Sequence, residues 1–485
     1  MKNLLPAFLI AAVIYSCSQP SSSARMPQAT PNWHNLDLEK DGVFGISTEK
    51  AYAQLLKNKK AKITIVAVID SGIDTTQEDL RPVLWTDPED GSHGRNYIGP
   101  ETGKEDFIPV LETQKDDPDH RKTLEDYNFH VRRLETFMSQ LKESKKILDR
   151  IVKNIGKETP VAGDLKQYQP RDEGERRILE LVLDRLPAYT NFNRLKFCEL
   201  DHLLELGQYH LEHGLKMGPA LEDSSIGGGV NTDVSNDPLG LVADPNVAPE
   251  HGTMMSGIIA ALRNNGKGSN GIADHTRIMA LKLFNNIREM RNNDLAAAIR
   301  FAVDHGARVI SMSFGKTFSL HRETVDQAVQ YAMSRGVLLV HSAGNDGMDL
   351  DAAGNSFFPS PRYLDGGVAP AWITVGASGY QDDPALAASF SNYGHKSVDV
   401  FAPGVQITST IPHSGSATWD GTSEAAPVVA GLAALIMEYY PALSAVQVKE
   451  IIMRSVVKRT VLKDKCVGGG VVNAYDALKL AAGYE

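Results

Sequence analysis

The residues that most clearly suggest chemistry lie in the stretch Asp420-Gly421-Thr422-Ser423-Glu424-Ala425-Ala426-Pro427. This polar turn opens a run of small and apolar residues, reaching Tyr440, whose spacing is typical of a buried helix. Ser423 is therefore predicted at or just before a helix N-terminus, where unpaired N–H groups and the helix dipole favour the negative charge that arises when a serine attacks a carbonyl. Taken alone, such a serine is more often a simple N-cap, so residues further upstream must decide between the two interpretations.

Two upstream side chains complete a possible catalytic set. Asp70 ends a β-branched run that begins at Ile63 and is typical of a buried parallel strand, and ligands of parallel sheets gather at the carboxyl ends of the strands. His251 stands at the entrance of a second predicted helix of small residues. Serine, histidine and aspartate can serve as a nucleophile, a general base and a group that orients the base.

The elements that must position these residues alternate between strand and helix. After His251, the apolar patterns predict four strands and two helices. The strands are Arg277 to Leu283, Ala307 to Phe314, Gly336 to His341 and Ala371 to Ala377, and the helices are Asp294 to His305 and Glu323 to Ser334. Such alternation predicts a parallel sheet covered by helices on both faces.

A long segment between Asp70 and His251 differs in character. From about residue 87 to residue 244 the chain is polar and charged, and apolar residues recur there at helical spacing. The predicted helices run from Tyr127 to Ile155, Glu175 to Leu186 and Arg194 to Met217. We therefore predict a mainly helical insertion within the sheet-bearing domain.

The first 16 residues have the features of a secretory signal peptide: a lysine at position 2, an apolar run and then small residues. Ile14-Tyr15-Ser16-Cys17 resembles a bacterial lipobox, which predicts that Cys17 is acylated and that the protein is attached to a membrane through this lipid anchor. The predicted location is the bacterial cell envelope, either periplasmic or on the cell surface. The alternative is ordinary cleavage that leaves an unmodified cysteine. Residues 17–45 are predicted to be a lipidated tether and residues 46–485 the main domain.

The composition of the chain limits the classes of molecule that it is expected to bind. The chain has 485 residues, with 50 basic and 60 acidic side chains and a net charge of −10, which argues against nucleic acid as a partner. Hydrophobic residues make up 42% of the chain, as in a soluble globular protein. Cys198 and Cys466 remain besides Cys17, and whether they pair is open.

The motifs together resemble those of the subtilases, the subtilisin-like serine proteases. The matching stretches are Val68-Ile69-Asp70-Ser71-Gly72, His251-Gly252-Thr253, Ser342-Ala343-Gly344-Asn345-Asp346 and Gly421-Thr422-Ser423-Glu424-Ala425-Ala426-Pro427. The order Asp, His, Ser is the order in this family. The resemblance implies a three-layer α/β fold with a mainly parallel central sheet flanked by helices, to which the helical insertion is added.

The resemblance also implies roles. Ser423, His251 and Asp70 would be the catalytic residues of an endopeptidase acting on proteins or peptides, and Asn345 would donate to the oxyanion. Ser313, Phe314 and Gly315 would line the substrate cleft, although Phe314 is equally explained as a core residue. No cofactor is implied for catalysis.

A structural calcium ion is possible, with Asp79 and the acids near Asp87 as candidate ligands. Two positions depart from the family pattern: Met254 replaces a histidine, and Glu424 replaces a methionine. Glu424 is interpreted either as a charge that acts on His251 or as a solvated glutamate at a helix start. The alternative functions are a catalytically silent surface binding protein on the same fold and, suggested only by Glu424, a sedolisin with a Ser-Glu-Asp site.

Overall fold

The computed structural model describes residues 29–97, 118–185, 249–284, 290–316, 322–353 and 355–484, together with isolated positions 192, 196, 200, 201, 204, 208 and 319. The chain divides into two compact units. One contains residues 28–103 and 225–485, here called the sheet unit, and the other contains residues 1–27 and 104–224, here called the helical unit.

The sheet unit is built on a nine-stranded sheet with the order β10-β11-β7-β6-β5-β4-β1-β3-β2, and a separate hairpin is formed by β8 and β9. Neighbouring strands of the sheet are parallel except β10 and β11. The strands are β1 Thr64–Asp70, β2 Gly94–Asn96, β3 Thr276–Lys282, β4 Val309–Met312, β5 Leu338–Ser342, β6 Trp372–Ser378, β7 Val400–Pro403, β8 Ile407–Ile411, β9 Gly415–Trp419, β10 Val457–Lys458 and β11 Gly470–Val471.

The α-helices, in chain order, are α1 Leu38–Asp41, α2 Thr48–Ala51, α3 Pro118–Ile155, α4 Ala162–Gln167, α5 Glu173–Arg185, α6 Glu250–Ala260, α7 Asn292–Asp304, α8 Glu323–Ser334, α9 Thr422–Tyr439, α10 Ala445–Arg454 and α11 Ala474–Ala481. A π-helix continues α2 over Tyr52–Leu56, and 3-10 helices lie at Trp33–Asn35, Arg81–Val83 and Thr460–Leu462. No helix among the described residues is long and apolar enough to span a bilayer.

Helices cover both faces of the sheet because its strands are apolar on both sides. In β1, Val66 and Val68 face a core shared with α6 and α9, whereas Ala67 and Ile69 face a second core shared with α7 and α8. All 18 residues of α9 are buried, as expected for a helix that is apolar all round. The predicted three-layer α/β fold with a mainly parallel sheet is confirmed.

The position of β1 explains where a site can form. Along the chain, β1 is followed by β2 and β3 on one side of it, and the next strand, β4, pairs with its other side. The strand order thus reverses at β1, and crevices at the carboxyl ends of strands beside such a reversal are the usual ligand sites of parallel α/β sheets. Asp70 is the last residue of β1, and Ser313 directly follows β4.

The main domain begins earlier than residue 46, the start predicted from the sequence. Trp33, Phe44 and Ile46 are fully or almost fully buried in its cores. The Trp33 indole donates to the Gln406 carbonyl oxygen at 3.0 Å, and the Ala474 amide donates to the Ile46 carbonyl oxygen at 2.6 Å. Residues 29–56, here called the amino-terminal strap, are therefore part of the core rather than of a tether, because their few large apolar side chains find partners far along the chain.

The predicted insertion also begins later than residue 87. Asp87 is buried, and the following strand β2 pairs with β3 in parallel at the edge of the main sheet. Polar, glycine-rich sequence conceals this strand because β2 has only three residues, Gly94, Arg95 and Asn96.

The helical unit, described by itself, contains α3, α4 and α5. These agree with two of the helices expected from apolar spacing, and the third, Arg194 to Met217, lies almost wholly outside the described residues. The unit has its own apolar core, which includes Leu148, Ile151 and Leu165. Arg150 and the buried Glu175 form an ion pair at 2.7 Å between α3 and α5.

Candidate active site

Asp70 and His251 are brought together although 181 positions separate them in the chain. The His251 Nδ1 atom lies 2.8 Å from Asp70 Oδ1 and 3.0 Å from Oδ2. Asp70 is 1% exposed and also accepts a hydrogen bond from the Ser71 amide at 2.6 Å. A buried carboxylate paired in this way fixes Nδ1 as the protonated nitrogen and leaves Nε2 as the basic one.

Glycine is required next to His251 by the close approach of α6 to the turn after β1. A Cβ atom on Gly252 would overlap the Gly72 carbonyl oxygen and lie 3.1 Å from the Asp70 Cβ. The Gly252 amide donates to the Ser71 hydroxyl at 3.2 Å, and Thr253 accepts from the Asp74 amide at 2.9 Å. The sequence His-Gly-Thr therefore locks the helix that carries the imidazole onto the strand end that carries the carboxylate.

Ser423 is the second residue of α9, as the sequence predicts, and is 6% exposed. Its hydroxyl donates to the Ser313 carbonyl oxygen at 3.1 Å, and the Ser313 hydroxyl donates back to the Ser423 carbonyl oxygen at 2.8 Å. These two bonds attach the start of α9 to the segment that follows β4. The hydroxyl is thus held at a helix N-terminus, where developing negative charge is favoured.

Asn345 is held in one orientation by Thr422. Its side-chain oxygen accepts from both the Thr422 amide and the Thr422 hydroxyl, each at 2.8 Å. The Thr422 hydroxyl in turn accepts from the Gly344 amide at 3.1 Å. Because the backbone amide can only donate, the Asn345 oxygen must face Thr422, and its NH₂ group is directed elsewhere as a donor.

The electrostatic environment of His251 combines three effects. Burial lowers the pKa of His251, but the charge and hydrogen bond of Asp70 and the charge of Glu424 outweigh it, so the pKa is raised above its usual value. The imidazole also stacks with the Trp419 ring, with ring centroids 6.3 Å apart.

Glu424 differs most from expectation. The interpretation as a solvated glutamate is wrong, because the residue is 0% exposed, and neither carboxyl oxygen has a hydrogen-bonding partner among the described residues. Burial raises the pKa of Glu424 to about 7; the charge of His251 opposes this rise, and the negative charges of Asp420 and Asp70 add to it. A carboxyl group in such surroundings favours its neutral form.

The three residues predicted to line the cleft lie together but differ in environment. Ser313 is buried and bonded to Ser423, and Gly315 packs against the ring of Phe357. The Phe314 ring instead lies against the Phe284 ring, with centroids 5.4 Å apart, and both rings pack against the core that the sheet shares with α7 and α8. These three positions as substrate contacts remain a prediction.

Sequence reasoning missed Trp419, Thr422 and Phe357, although each lies beside a predicted site residue. Trp419 and Thr422 flank the serine motif, so proximity in sequence was an available signal. Phe357 has no such signal, because it comes from a loop between β5 and β6 and meets the site only in the folded chain.

The candidate calcium ligands and the cysteines have the following surroundings. Asp79 accepts a hydrogen bond from Asn265 at 2.5 Å, and the Asp87 carboxylate faces Arg95 at 3.6 Å and His305 at 3.8 Å. The Arg95 guanidinium beside Asp87 is a positive charge that competes with a calcium ion for that carboxylate. Among the described residues no three His, Cys, Asp or Glu side chains cluster as a metal site, and the calcium ion stays a prediction. Cys466 is a buried free thiol, whereas Cys17 and Cys198 lie outside the described residues.

A paired imidazole and carboxylate, a serine at a helix start and an oriented amide donor are the components of serine hydrolase sites. The model of the subtilase family matches residues 61–475, and the chain therefore belongs to that family. A thermophilic serine proteinase of Bacillus sp. (strain AK1) is 41% identical over 193 residues, which are 40% of this chain and 44% of that protein. Alkaline elastase YaB of Bacillus sp. (strain YaB) is 34% identical over 238 residues, 49% of this chain and 57% of that protein.

The chain thus spans about half the length of these curated relatives. Among solved structures, the prenylagaramide maturation protease PagA is 28% identical, with a TM-score of 0.42, and the match covers 48% of this chain and 83% of that one.

Proposed function

We propose that this protein is a serine endopeptidase that hydrolyses peptide bonds through an acyl-enzyme. Membership of the subtilase family supports the reaction class. The observation that carries the assignment of roles is the Asp70–His251 pair at 2.8 Å, combined with Ser423 at the start of α9. In this mechanism Ser423 attacks the carbonyl carbon, His251 takes its proton and later gives it to the leaving amine, and Asp70 stabilises the imidazolium.

The Ser423 hydroxyl must turn before it can react. In the structure it donates to the Ser313 carbonyl oxygen at 3.1 Å. Transfer of its proton to His251 requires the hydroxyl to leave this bond and turn towards Nε2. In free enzymes catalytic hydrogen bonds are often long or poorly aligned and tighten only when substrate binds. The Asn345 NH₂ group and the backbone N–H of Ser423 would then donate to the oxyanion.

Reaction with a fluorophosphonate probe tests the proposal. The purified protein should be labelled at Ser423, as located by mass spectrometry of its peptides, and a peptide library should be cleaved. The Ser423→Ala protein should show neither property. A folded wild-type protein that neither reacts nor cleaves would favour the alternative, a catalytically silent subtilase fold that acts as a surface binding protein.

We further propose that the protein is exported and anchored in the bacterial cell envelope through acylated Cys17. The support is the sequence of residues 1–17, with its apolar run and Ile-Tyr-Ser-Cys ending. More than one acyl chain is needed for lasting attachment, and a lipobox cysteine acquires several.

Replacing Cys17 by alanine should release the protein from the membrane. Cells grown with a labelled fatty acid should incorporate label into the wild-type protein and not into the Cys17→Ala variant, which should move to the soluble fraction. Cys466→Ala is the matched control, since that buried thiol should have no part in anchoring. Equal labelling of wild type and Cys17→Ala would contradict the anchor.

Replacing Glu424 by glutamine is expected to remove a pH-dependent loss of stability. Because burial raises the pKa of Glu424 from 4.5 to about 7, the folded chain holds a proton that the unfolded chain releases between these values. The resulting stabilisation is complete below pH 4.5 and is lost as the pH rises through about 7. At about 1.4 kcal/mol per pKa unit, the loss amounts to about 3 kcal/mol. Urea unfolding of both proteins at about pH 4, 6 and 8 measures it.

The informative quantity is the difference between the two pH profiles. Glu438, another buried carboxyl whose pKa is raised to about 8, contributes alike to both proteins. Parallel profiles would show that Glu424 is not the titrating group.

In addition, loss of the Glu424 charge should move the rising limb of kcat/KM to lower pH, because that charge raises the pKa of His251.

A further inference from the structure

The site contains an aromatic ring that the mechanism does not use. The ring of Phe357 lies between two glycines that belong to different walls of the site. A Cβ atom on Gly315 would overlap ring atoms of Phe357, and a Cβ on Gly344 would lie 2.9 Å from its Cε2 and 3.0 Å from its Cζ. Gly315 follows Ser313 by two residues, and Gly344 directly precedes Asn345. The ring therefore fills the gap between the segment bonded to Ser423 and the segment that presents the amide donor.

The ring is fixed in this gap by its surroundings. The next residue, Phe358, is 3% exposed and forms a two-bond antiparallel bridge with Lys316, with N–O distances of 2.8 and 2.9 Å. Inside the gap, the Phe357 ring lies 5.5 Å from the ring of His341, measured between centroids. His341 is itself buried and bonded through Nε2 to the Phe314 carbonyl oxygen at 2.7 Å. One side of the Phe357 ring is thus packed against a buried ring that is itself held by a hydrogen bond.

This gap is where the side chain before the scissile bond must go, if the proposed function is correct. The reacting carbonyl carbon has to lie about 3 Å from the Ser423 hydroxyl, with its oxygen towards the Asn345 amide. The preceding Cα is bonded directly to that carbon, so its side chain starts between the Ser313 and Asn345 segments. Those segments continue into Gly315 and Gly344, and the space left by their missing side chains is taken by the Phe357 ring together with, at Gly344, the Asn392 side-chain nitrogen.

We propose that Phe357 is a specificity-determining residue, which occupies the slot for the side chain before the scissile bond and restricts cleavage to substrates with a small residue there. This inference rests on the proposed peptidase function. Glycine, alanine and serine would fit above the ring, whereas leucine or phenylalanine would have to displace it from its contacts with both glycine backbones. Displacement is unfavourable because packed side chains have few alternative positions.

A matched pair of peptides tests this role. They differ only in having alanine or phenylalanine before the scissile bond, and kcat/KM is measured for both. The wild type should prefer alanine by about tenfold or more, and Phe357→Ala should raise kcat/KM for the phenylalanine peptide by about 10- to 200-fold, while changing the alanine peptide only a few-fold. Phe357→Leu, which leaves part of the slot filled, should give an intermediate ratio and also guards against a misfolded alanine variant.

Phe301→Ala is the control, because that ring, on α7, stacks with His305 outside the slot, and its loss should leave the ratio of the two peptides unchanged. If both Phe357 variants lower kcat/KM for the two peptides in proportion, or if the ratio stays at its wild-type value, the slot assignment is overturned while the peptidase function stands. A wild type that cleaves neither peptide and does not react with a fluorophosphonate overturns the proposed function itself.

Discussion

Ser423→Ala is expected to lower turnover by about a millionfold, and His251→Ala by a similar factor, while leaving the fold intact. In subtilisin, loss of either the nucleophile or the base lowers kcat about 2 × 10⁶-fold, and we expect the same order here because the two residues act as a unit. Without the hydroxyl there is no nucleophile, and without the imidazole the hydroxyl keeps its proton. The residual rate comes from substrate binding and oxyanion stabilisation alone.

Single-turnover and steady-state kinetics on a cleavable peptide measure this loss, and circular dichroism establishes that the variants are folded. Ser423 contributes one side-chain hydrogen bond, to Ser313, so its loss should cost only about 1 kcal/mol of stability. Ser416→Ala provides a matched control, since that serine is exposed on β9 and its activity should equal that of wild type. Substantial proteolysis by either site variant would overturn the assignment of nucleophile and base.

Asn345 is expected to show the second largest effect, a loss of about a hundred- to a thousandfold in kcat with little change in KM. This is the range measured when subtilisin loses its side-chain oxyanion donor. The donor acts on charge that appears only in the transition state, so its removal lowers kcat rather than substrate affinity.

Two substitutions separate this catalytic role from a structural one. The Asn345 oxygen accepts two hydrogen bonds from Thr422, so Asn345→Ala should lose both turnover and about 1 to 3 kcal/mol of stability. Asn345→Asp keeps both acceptor bonds but replaces the donor with an anionic oxygen, so it should lose at least as much turnover while retaining more stability. If Asn345→Asp retained near-wild-type kcat, the amide would not be an oxyanion donor.

The places of Asp70, His251 and Ser423 in the fold could be predicted from sequence because they follow from local patterns, and their catalytic roles stay a proposal. The β-branched run that ends at Asp70 is a buried strand, and the small-residue runs that begin near His251 and Ser423 are α6 and α9. Parallel topology then brings strand ends and helix starts to one edge of the sheet. Strand β2, by contrast, has three polar or glycine residues, and its pairing with β3 is not revealed by any local pattern.

The environment of each site residue could not be predicted in the same way. Glu424 looks like an ordinary charged residue of a first helical turn, and only the packing of the folded chain buries it. Phe357 is distant in sequence from Gly315 and Gly344, yet it touches both. Burial and contact between distant segments depend on the whole tertiary arrangement, whereas periodicity reports only what lies within a few turns or pleats.

The amino-terminal strap has a consequence for the timing of folding during synthesis. Its residues bond to partners near the other end of the chain: Trp33 to Gln406, 373 positions away, and Ser47 to Asn473, 426 positions away. A chain that emerges amino-terminal end first must therefore keep Trp33 and Ile46 unburied until almost all of it has been made. Contacts of such long sequence separation form late and slowly. The core that Trp33 and Ile46 share with α11 would then be complete only once α11 has been made, so an incomplete chain has an open core.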